Sequence, residues 1–109
     1  MITSREESGV LICSIEGRLD AVAADPAASQ LLALVEGSGR NVLLNLSGLN
    51  YVSSLGLRVF VRAAKAVKAS EGVLKLCSAT PPVQKVLEIS ALDTLLDHHA
   101  EEAAAIASF

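Results

Sequence analysis

The chain has 109 residues, of which 51% are hydrophobic and 19% are charged, and this balance is typical of one globular domain spanning residues 1–109. A formal net charge of −3 and an aromatic content of 3% argue against a nucleic-acid partner, which needs a basic surface or stacking rings. No apolar run approaches the roughly 20 residues of a membrane-spanning helix, and charges begin at Arg5, before any apolar run, unlike a secretory signal. We therefore expect a cytoplasmic domain without membrane insertion.

The first half of the chain predicts a strand hairpin, a helix and a further strand. Residues 10–15 are apolar, β-branched and bounded by glycines, and residues 3–7 precede them as a candidate edge strand. After Asp20 the apolar residues recur with helical spacing, and either Asp20 or Asp25 is suited to the N-cap. This helical face consists of Ala28, Leu31, Leu32 and Val35. Residues 41–46 are apolar at nearly every position, as expected for a strand that is covered on both faces.

The second half predicts two more alternations of helix and strand. A helix follows two serines, a third strand covers residues 73–77, and Thr80 with Pro81 marks the start of a third helix. We expect Leu92, Leu95 and Leu96 to form a last short strand and residues 101–108 a last helix. The alternation predicts an α/β fold with a mixed, mostly parallel sheet of four to five strands, an antiparallel N-terminal hairpin and about four helices.

The sequence contains no complete motif for catalysis or cofactor binding. A hydrolase nucleophile elbow needs Gly-x-Ser-x-Gly, but Val52 occupies the first glycine position before Ser54. The histidines at 98–99, near Asp97 and Glu101, point in different directions on any regular element, and we interpret them as exposed loop residues rather than metal ligands. Glycine-rich phosphate loops are missing, and Cys13 and Cys77 are typical of small buried hydrophobes. We expect no enzyme, no metal, no cofactor and no small-molecule ligand.

The turn YVSSLGLRVF, which begins at Tyr51, supports two interpretations. Ser53 can cap the following helix, a contact worth about 1 kcal/mol. Ser54 would then lie in the first helical turn, beside free N–H groups and the positive end of the helix dipole, where a phosphate is accommodated. The apolar residues Leu57, Phe60, Val61, Ala64 and Val67 mark a helical stripe. Behind Ser54 a row of basic residues lies along one face, which we place opposite Leu57, Val61 and Ala64. This row is Arg58, Arg62, Lys65 and Lys68.

The basic row also supports two interpretations. It is either an ordinary solvated face or a dock for an acidic partner surface. In the second case, about two negative charges added at Ser54 by phosphorylation would weaken the attraction. Ser54 is then a binding switch.

Four segments of the chain resemble the STAS domain of bacterial anti-sigma-factor antagonists. They are Gly17-Arg-Leu-Asp20, Val42-Leu-Leu-Asn-Leu-Ser47, Tyr51-Val-Ser-Ser-Leu-Gly-Leu-Arg58, and Val86-Leu-Glu-Ile-Ser-Ala-Leu-Asp93 followed by Glu101-Glu-Ala-Ala-Ala. The resemblance implies a STAS-type fold and a partner-switching role. In that family the unphosphorylated antagonist binds an anti-sigma factor that is also a serine/threonine kinase, which frees the sigma factor. The kinase phosphorylates a serine of this turn and ends the complex, and a PP2C-type phosphatase restores it.

The resemblance also implies the site residues. The family's Asp-Ser-Ser/Thr-Gly turn places Ser54 at the phosphoacceptor position and Gly56 at the glycine, while Ser53 replaces the aspartate and is the second-choice acceptor. The family's Leu-Asp-Leu-Ser strand end reads Leu44-Asn-Leu-Ser47 here, so a second acidic group is replaced. The residues expected to bind the partner are Asp20, Ser53, Ser54, Gly56, Leu57, Arg58 and Arg62.

Two alternatives remain open. A STAS regulatory subunit that docks on a lipid-transporter ATPase in the membrane would keep the fold and need no phosphorylation cycle. A small hydrolase with Ser54 as its nucleophile would need the glycine that Val52 replaces.

Overall fold

Strands and helices alternate along the chain in the predicted order. The computed structural model describes all 109 residues. The elements are β1 Ile2–Glu7, β2 Val10–Ile15, β3 Gly17–Leu19, α1 Ala21–Val35, β4 Asn41–Asn45, β5 Leu49–Val52, α2 Ser54–Ala69, β6 Leu74–Cys77, α3 Pro81–Ile89, β7 His98–His99 and α4 Glu102–Ala107. One turn of 3-10 helix, Leu92–Thr94, lies between α3 and β7.

Five strands form the central sheet, in the order β1-β2-β4-β6-β7. The first pair is antiparallel, and the three other neighbouring pairs are parallel. Ser8 and Gly9, which join β1 to β2, both have positive φ angles (54° and 78°), as the commonest two-residue hairpin turn requires. The predicted mixed, mostly parallel sheet with an N-terminal hairpin and four helices is therefore confirmed.

Both faces of the sheet are covered. The main core packs α1, α2 and α3 against one face, and a smaller cluster on the other face lies under α4. Hydrogen bonds to Glu102 from Arg5 and Asn45 fasten α4 to the sheet, the latter at 2.5 Å. Cys13 and Cys77 are buried in these cores, and burial raises the pKa of the Cys13 thiol to about 11. The thiols thus pack as small hydrophobes, as predicted.

The segment after α3 differs from the prediction. Leu92 and Leu96 do not form a strand, because the N–H groups of Leu95 and Leu96 both bond back to the Leu92 carbonyl in helical fashion. Ala91 introduces this turn with a φ of 58°, in the left-handed region. Leu92 and Leu96 reach the core, and Leu95 remains 75% exposed.

The last strand is instead formed by the two histidines. His98 and His99 pair with the end of β6 and are half-buried, so the interpretation as exposed loop residues is wrong. The Nε2 of His98 accepts a hydrogen bond from the Ala79 N–H at 3.2 Å. Burial lowers the pKa of His98, and the neighbouring His99 adds to this effect. His98 therefore fastens β7 through its neutral form.

A second, two-stranded parallel sheet positions the candidate site. It consists of β3 and β5, in which Leu19 pairs with Val52. β3 was not predicted from the sequence, because it has only three residues, Gly-Arg-Leu, of which only Leu19 is buried. Helices α1 and α2 start directly beyond the ends of β3 and β5, and they pack side by side. None of the helices is long and apolar enough to cross a membrane.

Candidate partner-binding site

Two strand-to-helix turns lie side by side at one end of the domain. The Oδ1 of Asp20 caps α1 by accepting a hydrogen bond from the Ala23 N–H at 2.9 Å. The Oγ of Ser53 caps α2 by accepting one from the Gly56 N–H at 3.1 Å. Since the strands before these caps are paired, two helix N-termini are neighbours, and each dipole contributes a partial positive charge at this end of the domain. The structure thus brings Asp20 and the serine turn together, as expected.

The two serines of the turn have different environments. Ser53 is half-buried, its N–H donates to the Leu19 carbonyl at 2.9 Å, and its hydroxyl donates to the same oxygen at 3.3 Å. Ser54 is the first residue of α2 and is exposed, and its hydroxyl makes no hydrogen bond within the protein. Ser53 is therefore committed to the turn, whereas Ser54 is free to react or to contact a partner.

Gly56 has a packing role and is no part of the exposed surface. It is buried, and a Cβ added there would come within 2.5 Å of the Leu19 carbonyl oxygen. The inclusion of Gly56 among the partner-binding residues stays a prediction, and its role in the structure is to pack α2 against β3. The missing side chain lets α2 approach the backbone of β3 closely, which sets the position of Ser54 relative to α1.

The exposed side of α2 is a basic face, formed by Arg58, Arg62, Lys65 and Lys68. All four side chains are exposed, and none of them forms an ion pair. The helix contains no acidic residue, so it carries four positive charges in a chain whose net charge is −3, and the rest of the chain carries −7. This separation of charge makes the basic face an attractive surface for an acidic partner.

The buried side of α2 agrees with the predicted apolar stripe only at Phe60 and Val67. It is formed by Gly56, Val59, Phe60, Ala63 and Val67. Leu57, Val61 and Ala64 are only half-buried and border the basic face rather than lying opposite to it. Leu57 therefore remains at the edge of the candidate interface, next to Arg58.

A shallow cleft lies between the N-terminal halves of α1 and α2. Its volume is about 310 Å³, and it is lined by Ala21, Asp25, Leu55, Arg58 and Arg62, among others. Leu55 follows Ser54 directly and is 43% exposed, which makes it an apolar contact beside the candidate acceptor. Leu55 is a candidate contact that the sequence prediction did not include, although a leucine outside the apolar stripe in the first turn of an amphipathic helix is a detectable signal.

Two further exposed residues that were not predicted as contacts lie on the two-stranded sheet. The guanidinium of Arg18 stacks over the ring of Tyr51, 4.4 Å from its centroid, and these two residues are paired in β3 and β5. Both side chains are exposed, so this cation–π pair extends the positive surface toward the serine turn. A regular sequence pattern does not reveal this pair, because it depends on the pairing of β3 with β5.

The surroundings of Ser54 differ from those of a hydrolase nucleophile. Its hydroxyl has no hydrogen-bonded base, and both histidines lie in β7 at the far edge of the central sheet. No three side chains of the His, Cys, Asp or Glu type are arranged to hold a metal ion. The geometry suits recognition by a partner and modification of an exposed hydroxyl.

Comparison with known proteins agrees with this architecture. Residues 1–105 match the STAS domain family. This chain belongs to the STAS domain family. It is 34% identical over 108 residues to the anti-sigma factor antagonist BtrV of Bordetella bronchiseptica, covering 99% of this chain and 93% of that protein. The resemblance predicted from the sequence is therefore confirmed.

Other STAS proteins resemble the chain over similar lengths. The anti-sigma F factor antagonist of Paenibacillus polymyxa is 27% identical over 106 residues, which cover 96% of this STAS domain and 91% of that protein. The structure of an anti-sigma-factor antagonist (STAS) domain protein from Planctomyces limnophilus superposes with a TM-score of 0.86 at 26% identity. That match covers 98% of this chain and 96% of the other.

Proposed function

We propose that this STAS domain is a cytoplasmic anti-sigma factor antagonist that works by partner switching. Its unphosphorylated form binds an anti-sigma factor serine/threonine kinase through the serine turn and the basic face, and thereby releases the sigma factor. Phosphorylation of Ser54 ends this complex. The names of the relatives support the antagonist role, and the contrast between Ser53 and Ser54 carries the choice of acceptor.

The choice of Ser54 rests on access. A kinase must reach the acceptor hydroxyl, and the Ser54 side chain is exposed and has no partner in the protein. The Ser53 hydroxyl would have to give up its bonds to Leu19 and Gly56 before it could be phosphorylated. Breaking the cap contact alone costs about 1 kcal/mol, so Ser53 remains the weaker candidate.

A phosphate on Ser54 would change the charge of the docking surface. Arg58 lies four residues further along α2, on the same side of the helix, where a phosphate can pair with its guanidinium. About two negative charges there would halve the net charge of α2 and would occupy Arg58. The surface that attracts an acidic partner would thus lose positive charge at the N-terminal end of α2, and the phosphate would add bulk beside Leu55.

The cycle requires a means of removing the phosphate. A PP2C-type phosphatase supplies it in the proposed scheme, and the exposure of Ser54 gives such an enzyme the same access that the kinase has. A STAS subunit that docks on a transporter ATPase would use the same fold and helix surface without this cycle. The two functions differ in one measurable property, which is phosphate on Ser54.

Mapping of the phosphate tests the proposal. The purified protein is incubated with anti-sigma factor kinases and Mg-ATP, and the modified residue is identified by mass spectrometry. We expect phosphate on Ser54, none on the Ser54→Ala variant, and continued phosphorylation of the matched Ser53→Ala variant. Phosphate on Ser53 in the unaltered protein would overturn the choice of acceptor. A protein that no such kinase modifies, and that copurifies with a transporter ATPase, would overturn the function.

A further inference from the structure

An apolar groove, distinct from the cleft between α1 and α2, lies at the opposite end of α2 from the serine turn. It has a volume of about 490 Å³ and runs between the C-terminal half of α2, the start of β6 and the 3-10 helix. This volume lies within the range of small-molecule sites, roughly 300–1,000 Å³. Lys68, on its rim, is 14 residues from Ser54, which corresponds to about 21 Å along the helix axis. The groove therefore lies away from the serine turn, although it shares Lys65 and Lys68 with the basic face.

The walls of the groove are aliphatic. Leu74, Leu92 and Leu96 form its floor, and each keeps a small exposed fraction between 6% and 9%. Val73 and Leu95 flank the floor and are 52% and 75% exposed. Large aliphatic side chains left open to water around one concave surface are unfavourable unless something covers them.

The turn that shapes the groove is itself strained. Ala91 has a φ of 58°, a backbone conformation that residues with a Cβ rarely adopt. It directs the following 3-10 helix so that Leu92 and Leu96 line the floor while Leu95 extends the wall outward. Ala91 follows Ser90, the C-cap of α3, so its left-handed conformation ends that helix and turns the chain toward α2.

The charges at the rim indicate the chemistry of the occupant. Lys65 and Lys68 are the charged residues that line the groove, neither forms an ion pair, and no carboxylate lines it. Both lysines lie near the C-terminus of α2, where the helix dipole contributes a partial negative charge. The two lysines keep the rim positive despite that dipole, so the groove suits a ligand with an aliphatic body and an anionic head group.

We propose that this groove binds a single-chain aliphatic carboxylate of medium length. The chain covers Leu74, Leu92 and Leu95, and the carboxylate pairs with Lys65 and Lys68. A groove of this size accommodates one chain and presents no flat surface for a bilayer. No small-molecule ligand was predicted from the sequence. The groove is not visible there, since it forms only when the leucines after α3 fold against α2. This site does not depend on Ser54, and its failure would leave the proposed function untouched.

Decanoate is a suitable probe, and decan-1-ol is its uncharged match. Isothermal titration calorimetry of the full chain, below the concentration at which decanoate aggregates, should show one site with a Kd on the order of 0.1 mM. The Lys65→Gln/Lys68→Gln double variant should bind decanoate about tenfold more weakly, whereas its affinity for decan-1-ol should be unchanged. Lys85→Gln removes an exposed charge from α3, outside the groove, and should bind both probes normally.

Amide NMR locates the site independently of affinity. Decanoate should shift the amide signals of Val73, Leu95 and Leu96, and leave that of Ser54 unchanged. The Leu95→Gln variant alters an exposed side chain, so it should fold normally and lose decanoate affinity. The absence of binding to the folded wild type, equal decanoate affinity in the double variant, or shifts centred on another surface would each overturn the proposal.

Discussion

The Oγ of Ser53 accepts a hydrogen bond from the backbone N–H of Gly56 at 3.1 Å. This contact caps α2 and commits one of two adjacent serines to the turn. The other serine, Ser54, begins the helix with an exposed and unbonded hydroxyl. A structural hydroxyl and a free hydroxyl thus lie next to each other, at the start of a helix whose charged residues are all basic.

Replacement of each serine by alanine should separate these two roles. Ser53→Ala removes the cap and should lower the free energy of unfolding by about 1 kcal/mol. Ser54→Ala removes an exposed hydroxyl without a partner and should change it by less than about 0.5 kcal/mol. Urea unfolding followed by circular dichroism measures both values. Equal losses for the two variants would show that the hydroxyls share the capping role.

Gly56 should tolerate a methyl group poorly. The Cβ of Gly56→Ala would approach the Leu19 carbonyl oxygen to 2.5 Å, so the backbone of α2 or β3 would have to move. We expect a loss of about 1 to 3 kcal/mol in the free energy of unfolding. Gly48→Ala is the matched control, since its Cβ would meet only the exposed Glu16 side chain, which can rotate away. A Gly56→Ala variant as stable as Gly48→Ala would contradict the close approach of α2.

His98 should make the stability depend on pH near neutrality. Burial lowers its pKa from the ordinary 6.5, so the unfolded chain binds a proton before the folded protein does. The stability contributed by neutral His98 is fully present above about pH 6.5 and is lost as pH falls through the lower pKa of the folded state. Urea midpoints across this range should fall more for the wild type than for His98→Asn, which does not titrate. Parallel pH profiles for the two proteins would contradict this role.

Much of the fold is predictable because apolar residues recur with a different spacing in its strands than in its helices. Residues 10–15 and 41–46 are mostly apolar and form largely buried strands, and Ala28 and Val35 share one buried helical face. The leucines after α3 were predicted wrongly, because Leu92 and Leu96 can share a face in a short strand as well as in a helical turn. The φ of Ala91 decides between these two conformations, and periodicity carries no information on that angle.

The candidate site is predictable in its residues but less so in its orientation. Apolar residues occur on several sides of α2, at Leu55, Leu57, Val59 and Val61, so the sequence permits more than one inward stripe. The close contact between Gly56 and Leu19 selects the buried one, and this contact joins positions far apart in the chain. Thr80 shows the same limitation: it occupies the predicted N-cap position, but its hydroxyl bonds to the Leu49 carbonyl at 2.8 Å instead of capping α3.

The basic face should contribute to partner affinity without contributing to stability. Arg58 and Arg62 are exposed and form no ion pair, so charge reversal to glutamate breaks no contact within the protein. We expect each reversal to weaken binding of the anti-sigma factor kinase about tenfold or more, chiefly through slower association at low salt. Lys85→Glu, on α3, is the control and should bind normally. Surface plasmon resonance gives the rates, and unchanged association for Arg58→Glu would exclude this face from the interface.

The affinity of the kinase for the phosphorylated and unphosphorylated forms tests the central claim most directly. Calorimetric titration should show that the form phosphorylated on Ser54 binds about a hundredfold more weakly than the unmodified protein, because the phosphate opposes the charge of the basic face. Ser54→Ala should bind within about twofold of the unmodified protein, since it keeps that charge. Equal affinity of the phosphorylated and unmodified forms would contradict a switch at Ser54.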